Sequence, residues 1–265
     1  MRTISVPFNF MRPEATGGVV DDAQPENTRL EMVSHDVTVH DLRGHESNVS
    51  LETHGFAVMR HESVCRDPRD EGEVLRVYYP EVEALIQKLT GATVVKAYGH
   101  IVRASTLDGT PAMRTPARIA HVDNDFNTTR QLAARLAPSE QQAQLMQGRF
   151  MLINVWRPLR TVERHPLAVA DGSTVCRKDL VPVRLMASRA GVNDPHGLNM
   201  IHSDAHRWYY LSKMQPDEWL AFRQIDAKSD AVQFSGHSSF EDPETSENSR
   251  QRESIEIRTV SYMPW

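Results

Sequence analysis

Cysteine is nearly missing from this chain of 265 residues, and its scarcity removes two classes of protein. Cys65 and Cys176 lie in separate segments with no CxxC spacing, which excludes a disulfide scaffold and a thiolate zinc site. Both read as buried or idle thiols. Long hydrophobic runs are lacking as well, for none approaches the roughly 20 residues that span a bilayer. At the N-terminus, Asn9, Arg12 and Pro13 break the apolar stretch, which then fits neither an export signal nor an anchor, and the expected location is cytoplasmic, with no membrane partner. Surplus positive charge is absent too. A net charge of −5 gives no general attraction to phosphates, so no nucleic-acid partner is expected. Internal repeats and low-complexity tracts are not found. Histidine, by contrast, is plentiful: twelve are more than packing needs in a chain of this size, which points first to metal chemistry.

The hydrophobic fraction of 40% and charged fraction of 25% are ordinary for a globular protein, and the length suits one domain over residues 1–265. Within it, residues 1–79 read as an N-terminal arm: 1–50 is polar and irregular, with Gly17-Gly18 and Asp21-Asp22, and a lid role is open to it. Residues 80–265 read as a helix followed by a β core. Val82, Leu85, Ile86 and Leu89 fall at helical spacing after Pro80, and Gly91 supplies a stop, which predicts a helix over about 80–90.

Beyond it, Ala92–Ser105, Ala117–Asp123, Arg149–Leu159, Arg207–Leu211, Trp219–Ile225, Val232–Ser238 and Ser254–Tyr262 have the Val, Ile and aromatic content of strands. Thr129–Gln147 breaks the series as two short helices, with Ser139 and Gln142 as a capping box. Segment 160–200, rich in Pro and Gly, reads as surface loops, and 241–254 as a polar loop. Scattered strands, few helices and no βαβ alternation favour a mainly β protein with flanking helices and a double-sheet jelly-roll core.

His121-Val122-Asp123 ends one of these strands, so a period of two sets the imidazole and the carboxylate on one face. His237 ends another. Two histidines and one carboxylate form the facial triad of non-haem iron(II), with three positions left open for a chelating 2-oxo acid and dioxygen. A lone HxD is weak evidence, and His202-Ser203-Asp204 fits the same pattern. The stronger signal lies downstream, where Arg252-Glu253-Ser254 opens the last strand with Arg and Ser on one face, a planar fork and a hydroxyl suited to the distal carboxylate of 2-oxoglutarate. The alternative is that Arg252 pairs with an acid among Glu241, Asp242, Glu244 and Glu247.

In ARIAHVDND (117–125), INVWRPL (153–159), PLAVADGSTV (166–175), DLVPV (179–183), HRWYYLSKMQPDEWLAFRQID (206–226), GHSSFEDP (236–243) and RESIEIR (252–258), the chain resembles the iron(II)/2-oxoglutarate hydroxylases and desaturases of secondary metabolism. These are related to the cephalosporin 7α-methoxylation component and to fungal hydroxylase/desaturase proteins. The resemblance covers about residue 93 to the C-terminus. It implies a double-stranded β-helix, Fe(II) at His121, Asp123 and His237, 2-oxoglutarate at Arg252 and Ser254, dioxygen as oxidant, and a C–H bond of a small metabolite as target. One departure is NMIHSDAHRWYY, where relatives often carry Asn-Pro before HRWYY.

The substrate is expected to be small, amino-acid-derived or carboxylate-bearing, and Arg157, Tyr209, Trp156, Tyr98 and Arg130 are its candidate contacts. Strand alternation allows only about half of such residues to line a pocket. Arg258 shares strand parity with Arg252, and Glu256 between them offers it a simple ion pair. Asp125 reads as an acid in the loop beyond the metal motif. A triad enzyme without a co-substrate, and a non-catalytic jelly-roll binding protein, are the competing readings; the RxS speaks against the first.

Overall fold

Period-two patterning builds most of the protein, described by a computed structural model over residues 1–21, 23–103, 117–186 and 191–264. In chain order the elements are β1 (Thr3–Met11), β2 (Val19–Val20), β3 (Met32–Asp41), β4 (Phe56–Arg60), α1 (Glu71–Glu73), α2 (Tyr79–Thr90), β5 (Val94–Arg103), β6 (His121–Val122), α3 (Phe126–Leu136), α4 (Gln142–Gln147), β7 (Arg149–Pro158), β8 (Leu167–Ala170), β9 (Leu180–Leu185), β10 (His196–Met200), β11 (Trp208–Tyr210), β12 (Glu218–Asp226), β13 (His237–Ser239) and β14 (Ser254–Met263). Asp22 and the last two residues of the strand expected over Ala92–Ser105 lie outside the described residues.

Nine strands form one sheet in the order β1-β3-β11-β8-β13-β6-β10-β9-β2, and five form a second in the order β4-β12-β7-β14-β5. Trp156, Leu220 and Phe222 of the smaller sheet meet Val169 and Tyr209 of the larger one, so the sheets face each other as in a jelly roll. The opposite face of the smaller sheet presents Ile153, Val155 and Ile257, which Val82 and Ile86 of α2 cover. Burial of each such aliphatic side chain stabilises by about 1.5–3 kcal/mol. Pro80 lies in the first turn of α2, and Gly91 ends the helix at φ 71°, a left-handed conformation that glycine adopts without strain. Among the described residues, no helix is long and apolar enough to cross a membrane.

Several expectations need correction. Residues 1–79 are not an arm laid over a finished core: β1 pairs with β3, β3 runs parallel to β11, and β4 pairs with β12. Bridges from Asn9 to Ile119 and from Met11 to Ile201 bring β1 back beside β6 and β10, curling this part of the sheet around Phe8, Phe10, Trp208 and Phe240. Ile4, Val6, Phe8 and Phe10 alternate with exposed or half-buried residues, so a half-buried strand looks polar on average. Segment 160–200 likewise contains β8, β9 and β10, disguised by their brevity and by Pro182 inside β9. The two helices of 129–147 do form, but Gln141 precedes α4 without a side-chain cap and Gln142 donates to Ala134 O instead, so Ser139 and Gln142 make no capping box.

The strand expected over Val232–Ser238 shrinks to His237–Ser239, because Phe234 takes a positive φ of 50° and breaks the extended run.

Candidate functional site

His121 on β6 and His237 on β13 are directly opposed cross-strand partners, with ring centroids 4.2 Å apart. Asp123 follows His121 on the same face, and its Oδ1 lies 3.5 Å from His121 Nε2 and 3.8 Å from His237 Nε2. One ligand atom from each of the three lies within 4.8 Å of the others. His121 Nδ1 sits 2.7 Å from Ile119 O, which only an Nδ1–H can satisfy, so the Nε2 lone pair is left to face the other two residues. Burial, and then the His121 ring, push the His237 pKa down to about 3, so this imidazole is a neutral donor at physiological pH.

The carboxylate of Asp123 is held from behind. Its Oδ2 accepts from Asn154 Nδ2 at 2.9 Å and from Arg258 Nε at 2.9 Å, while its backbone N–H donates to Gln224 Oε1 at 2.7 Å. Gln224 occupies the register shift between Arg223 and Ile225, a bulge that aims its side chain inward. Arg258 is also 3.6 Å from Glu256, so the ion pair expected from sequence is present but secondary to Asp123. Burial works against the Arg258 charge, yet Asp123 and Glu256 outweigh it and raise its pKa. Burial, followed by Asp123, raises that of Glu256.

A cavity of about 920 Å³ opens beside this cluster between the sheets, with Val20, Asp21, Pro25, Thr28 and Leu30 contributing part of one wall. Arg252 and Trp156 border it, and the guanidinium lies 5.4 Å from the indole ring. Arg252 is buried, and its Nη1 donates to His165 O at 2.7 Å. His165 adopts φ 51°, a strained conformation for a non-glycine residue, which presents that carbonyl. Among the described residues no carboxylate pairs with Arg252, so Glu241, Asp242, Glu244 and Glu247 do not neutralise it. Burial, and then Arg103, disfavour its charged form. Ser254 is buried on the same strand face but does not border the cavity.

The remaining candidates are placed elsewhere. Because Trp156 points inward, Arg157 must point outward, where it lies over Tyr78 at 4.9 Å and Trp219 at 5.1 Å. Tyr209 packs on Phe56 and His40, Tyr98 against the cluster containing Phe150 and Tyr262, and Arg130 is exposed on α3. None of these four borders the cavity. His202 stacks on His35, and Asp125 caps α3 by accepting from Thr128 N–H at 2.7 Å. An Arg157→Met variant is therefore expected to destabilise the protein by about 1–2 kcal/mol through lost cation–π contacts. Denaturant melts would register this, with 2-oxoglutarate binding unchanged.

Sequence reading passed over Asn154, Phe222 and Gln224. A signal was available: amide side chains inside runs as apolar as INVW and WLAFRQI require buried partners. The donor set itself, two imidazole nitrogens and one carboxylate oxygen beside open space, fits ferrous iron with vacant positions.

Similarity to known proteins agrees with this chemistry. Residues 8–262 match the family described as oxidoreductase/YMDC permease-like domain. The alpha-ketoglutarate-dependent dioxygenase phiK of Fungal sp. is 30% identical over 96% of this chain and 94% of its own length. The hydroxylase/desaturase CTB9 of Cercospora beticola is 32% identical over 90% and 81%. A solved structure of NvfI, an iron and alpha-ketoglutarate-dependent endoperoxidase whose sequence is from Aspergillus novofumigatus, superposes with a TM-score of 0.89 at 26% identity, covering 100% of this chain and 99% of that one. The chain belongs to the iron(II)/2-oxoglutarate-dependent oxygenase family that contains these dioxygenases, hydroxylases and desaturases.

Proposed function

We propose that the protein oxidises a C–H bond of a small metabolite, with His121, Asp123 and His237 holding Fe(II) and with Arg252, which borders the cavity where Ser254 does not, receiving the distal carboxylate of 2-oxoglutarate. The observation that carries this reading is the convergence of three donors on one side of a cavity that also contains a buried guanidinium with no carboxylate partner among the described residues. Iron bound there supplies dioxygen activation coupled to decarboxylation of 2-oxoglutarate. For a hydroxylation, one oxygen atom ends in the product and the other in succinate, with carbon dioxide released; desaturation and ring closure use the same oxidant. The protein's own residues position the reactants and exclude water. Arg252 offers a planar pair of N–H donors, Trp156 covers its face, and Asp123 and His237 are buried on the metal side. The substrate class put forward is amino-acid-derived or carboxylate-bearing, as the cationic wall formed by Arg103, Arg118 and Arg252 favours an anion, with Arg118 also paired with Glu241 at 2.9 Å.

Anaerobic addition of Fe(II) and 2-oxoglutarate is expected to produce a visible metal-to-ligand charge-transfer band, and a screen of small metabolites to reveal one that stimulates succinate release. His237→Ala should abolish both, losing more metal affinity than the about 10–100-fold that removal of an outlying hydrogen-bond partner causes. A folded, metal-loaded wild type without the band would overturn the assignment. Product formation without succinate would move it to an oxidase that uses no co-substrate.

A further inference from the structure

Across the smaller sheet, Phe222 on β12 pairs with Asn154 on β7, and Asn154 pairs with Arg258 on β14. One row of three side chains thus runs across three strands. It stands opposite the row that carries the histidines in the larger sheet. The Phe222 ring lies 4.8 Å from that of His237, while Asn154 and Arg258 both donate to Oδ2 of Asp123.

We infer that Asn154 and Arg258 are positioning residues that keep Asp123 a ligand through one oxygen, an inference that rests on the metal assignment proposed above. A carboxylate with both oxygens free can chelate a cation through either or both. Here Oδ2 is engaged by two donors on a rigid sheet, and Oδ1 alone is turned toward the two Nε2 atoms. Chelation through both oxygens would occupy a position that the co-substrate requires. The same two donors also withdraw charge from the carboxylate, so less electron density reaches the metal. Asn154 contributes a second contact, donating to Glu256 Oε1 at 3.2 Å, which ties the cavity-lining glutamate into the same arrangement.

The test compares wild type, Arg258→Met and Asn154→Leu in anaerobic titrations, first with Fe(II) alone and then with 2-oxoglutarate at saturating Fe(II). Each variant is expected to bind Fe(II) about 10–100-fold more weakly. At saturation the charge-transfer band should move to longer wavelength, because the unclamped carboxylate donates more strongly to iron; a merely structural role would not shift it. The half-saturating 2-oxoglutarate concentration should rise as well. Wild-type affinity together with an unmoved band in both variants overturns the inference. If Arg258→Met fails to fold with Asp123 and Glu256 left uncompensated, Asn154→Leu and the double variant Arg258→Met/Glu256→Gln carry the same test. Failure of the wild type itself to bind Fe(II) would instead overturn the metal assignment.

Discussion

Arg252→Met should leave the unliganded protein at least as stable as wild type while weakening 2-oxoglutarate binding roughly 30-fold to several thousand-fold, the range that follows from about 2–5 kcal/mol for truncating one side of a buried charge pair. The two halves of this expectation have one origin. In the unliganded state the guanidinium is buried with a backbone carbonyl and an indole face as neighbours, and no carboxylate among the described residues pairs with it. Holding a charge there opposes folding, and methionine covers Trp156 without that penalty. Once a dianionic co-substrate arrives, the same guanidinium is expected to become its counter-charge. Thermal melts separate the effects: at 2-oxoglutarate 100-fold above the wild-type dissociation constant the wild type should gain about 2.7 kcal/mol, and the variant about 0.9 kcal/mol or less. Equal ligand-induced shifts in the two proteins would show that the carboxylate is bound elsewhere.

That Arg252 lines one cavity with His121, Asp123 and His237 follows from an order along the chain that other cavity residues lack. Arg252, Asp123 and His237 stand at strand ends in a fixed order along the chain, and order survives whatever the strands later do in space. Trp156 and Arg157 carry no such information. Strand alternation requires one of the two to face inward, but nothing local sets the phase, and the aromatic–cation pair looks like a recognition site in either case. In the structure Tyr78, from the turn preceding α2, receives Arg157 on the outer face, a contact between residues 79 positions apart. Tyr209 illustrates the same limit, since its neighbours Phe56 and His40 come from the first part of the chain.

That first part is hard to read from sequence for a related reason. The strands of 1–79 are only half buried, and their pairing with β11 and β12 is settled by partners more than 150 residues away. The iron-side network repeats the lesson on a smaller scale. Asn154, Gln224 and Arg258 come from three strands of the smaller sheet and meet Asp123 across the gap between sheets, a convergence that no spacing along the chain encodes.

Asp123→Ala should therefore do more than remove a metal ligand. Arg258, largely buried beside it, would keep Glu256 at 3.6 Å as its one carboxylate neighbour among the described residues, and burial favours the neutral form of that acid. Breaking a buried ion pair from one side costs about 3–5 kcal/mol, which for a protein of this size lowers Tm by roughly 6–20 °C. His237→Ala removes an equally necessary ligand but strands no charge, so its melting temperature should fall less. Adding Arg258→Met to Asp123→Ala should recover much of the lost stability without restoring Fe(II) binding, since the stranded guanidinium is gone and the carboxylate is still missing. Calorimetry on the four proteins of this cycle measures the coupling directly. If the two changes proved simply additive, the hydrogen bond between Arg258 and Asp123 would contribute nothing to the fold, and the carboxylate's role would reduce to the metal alone.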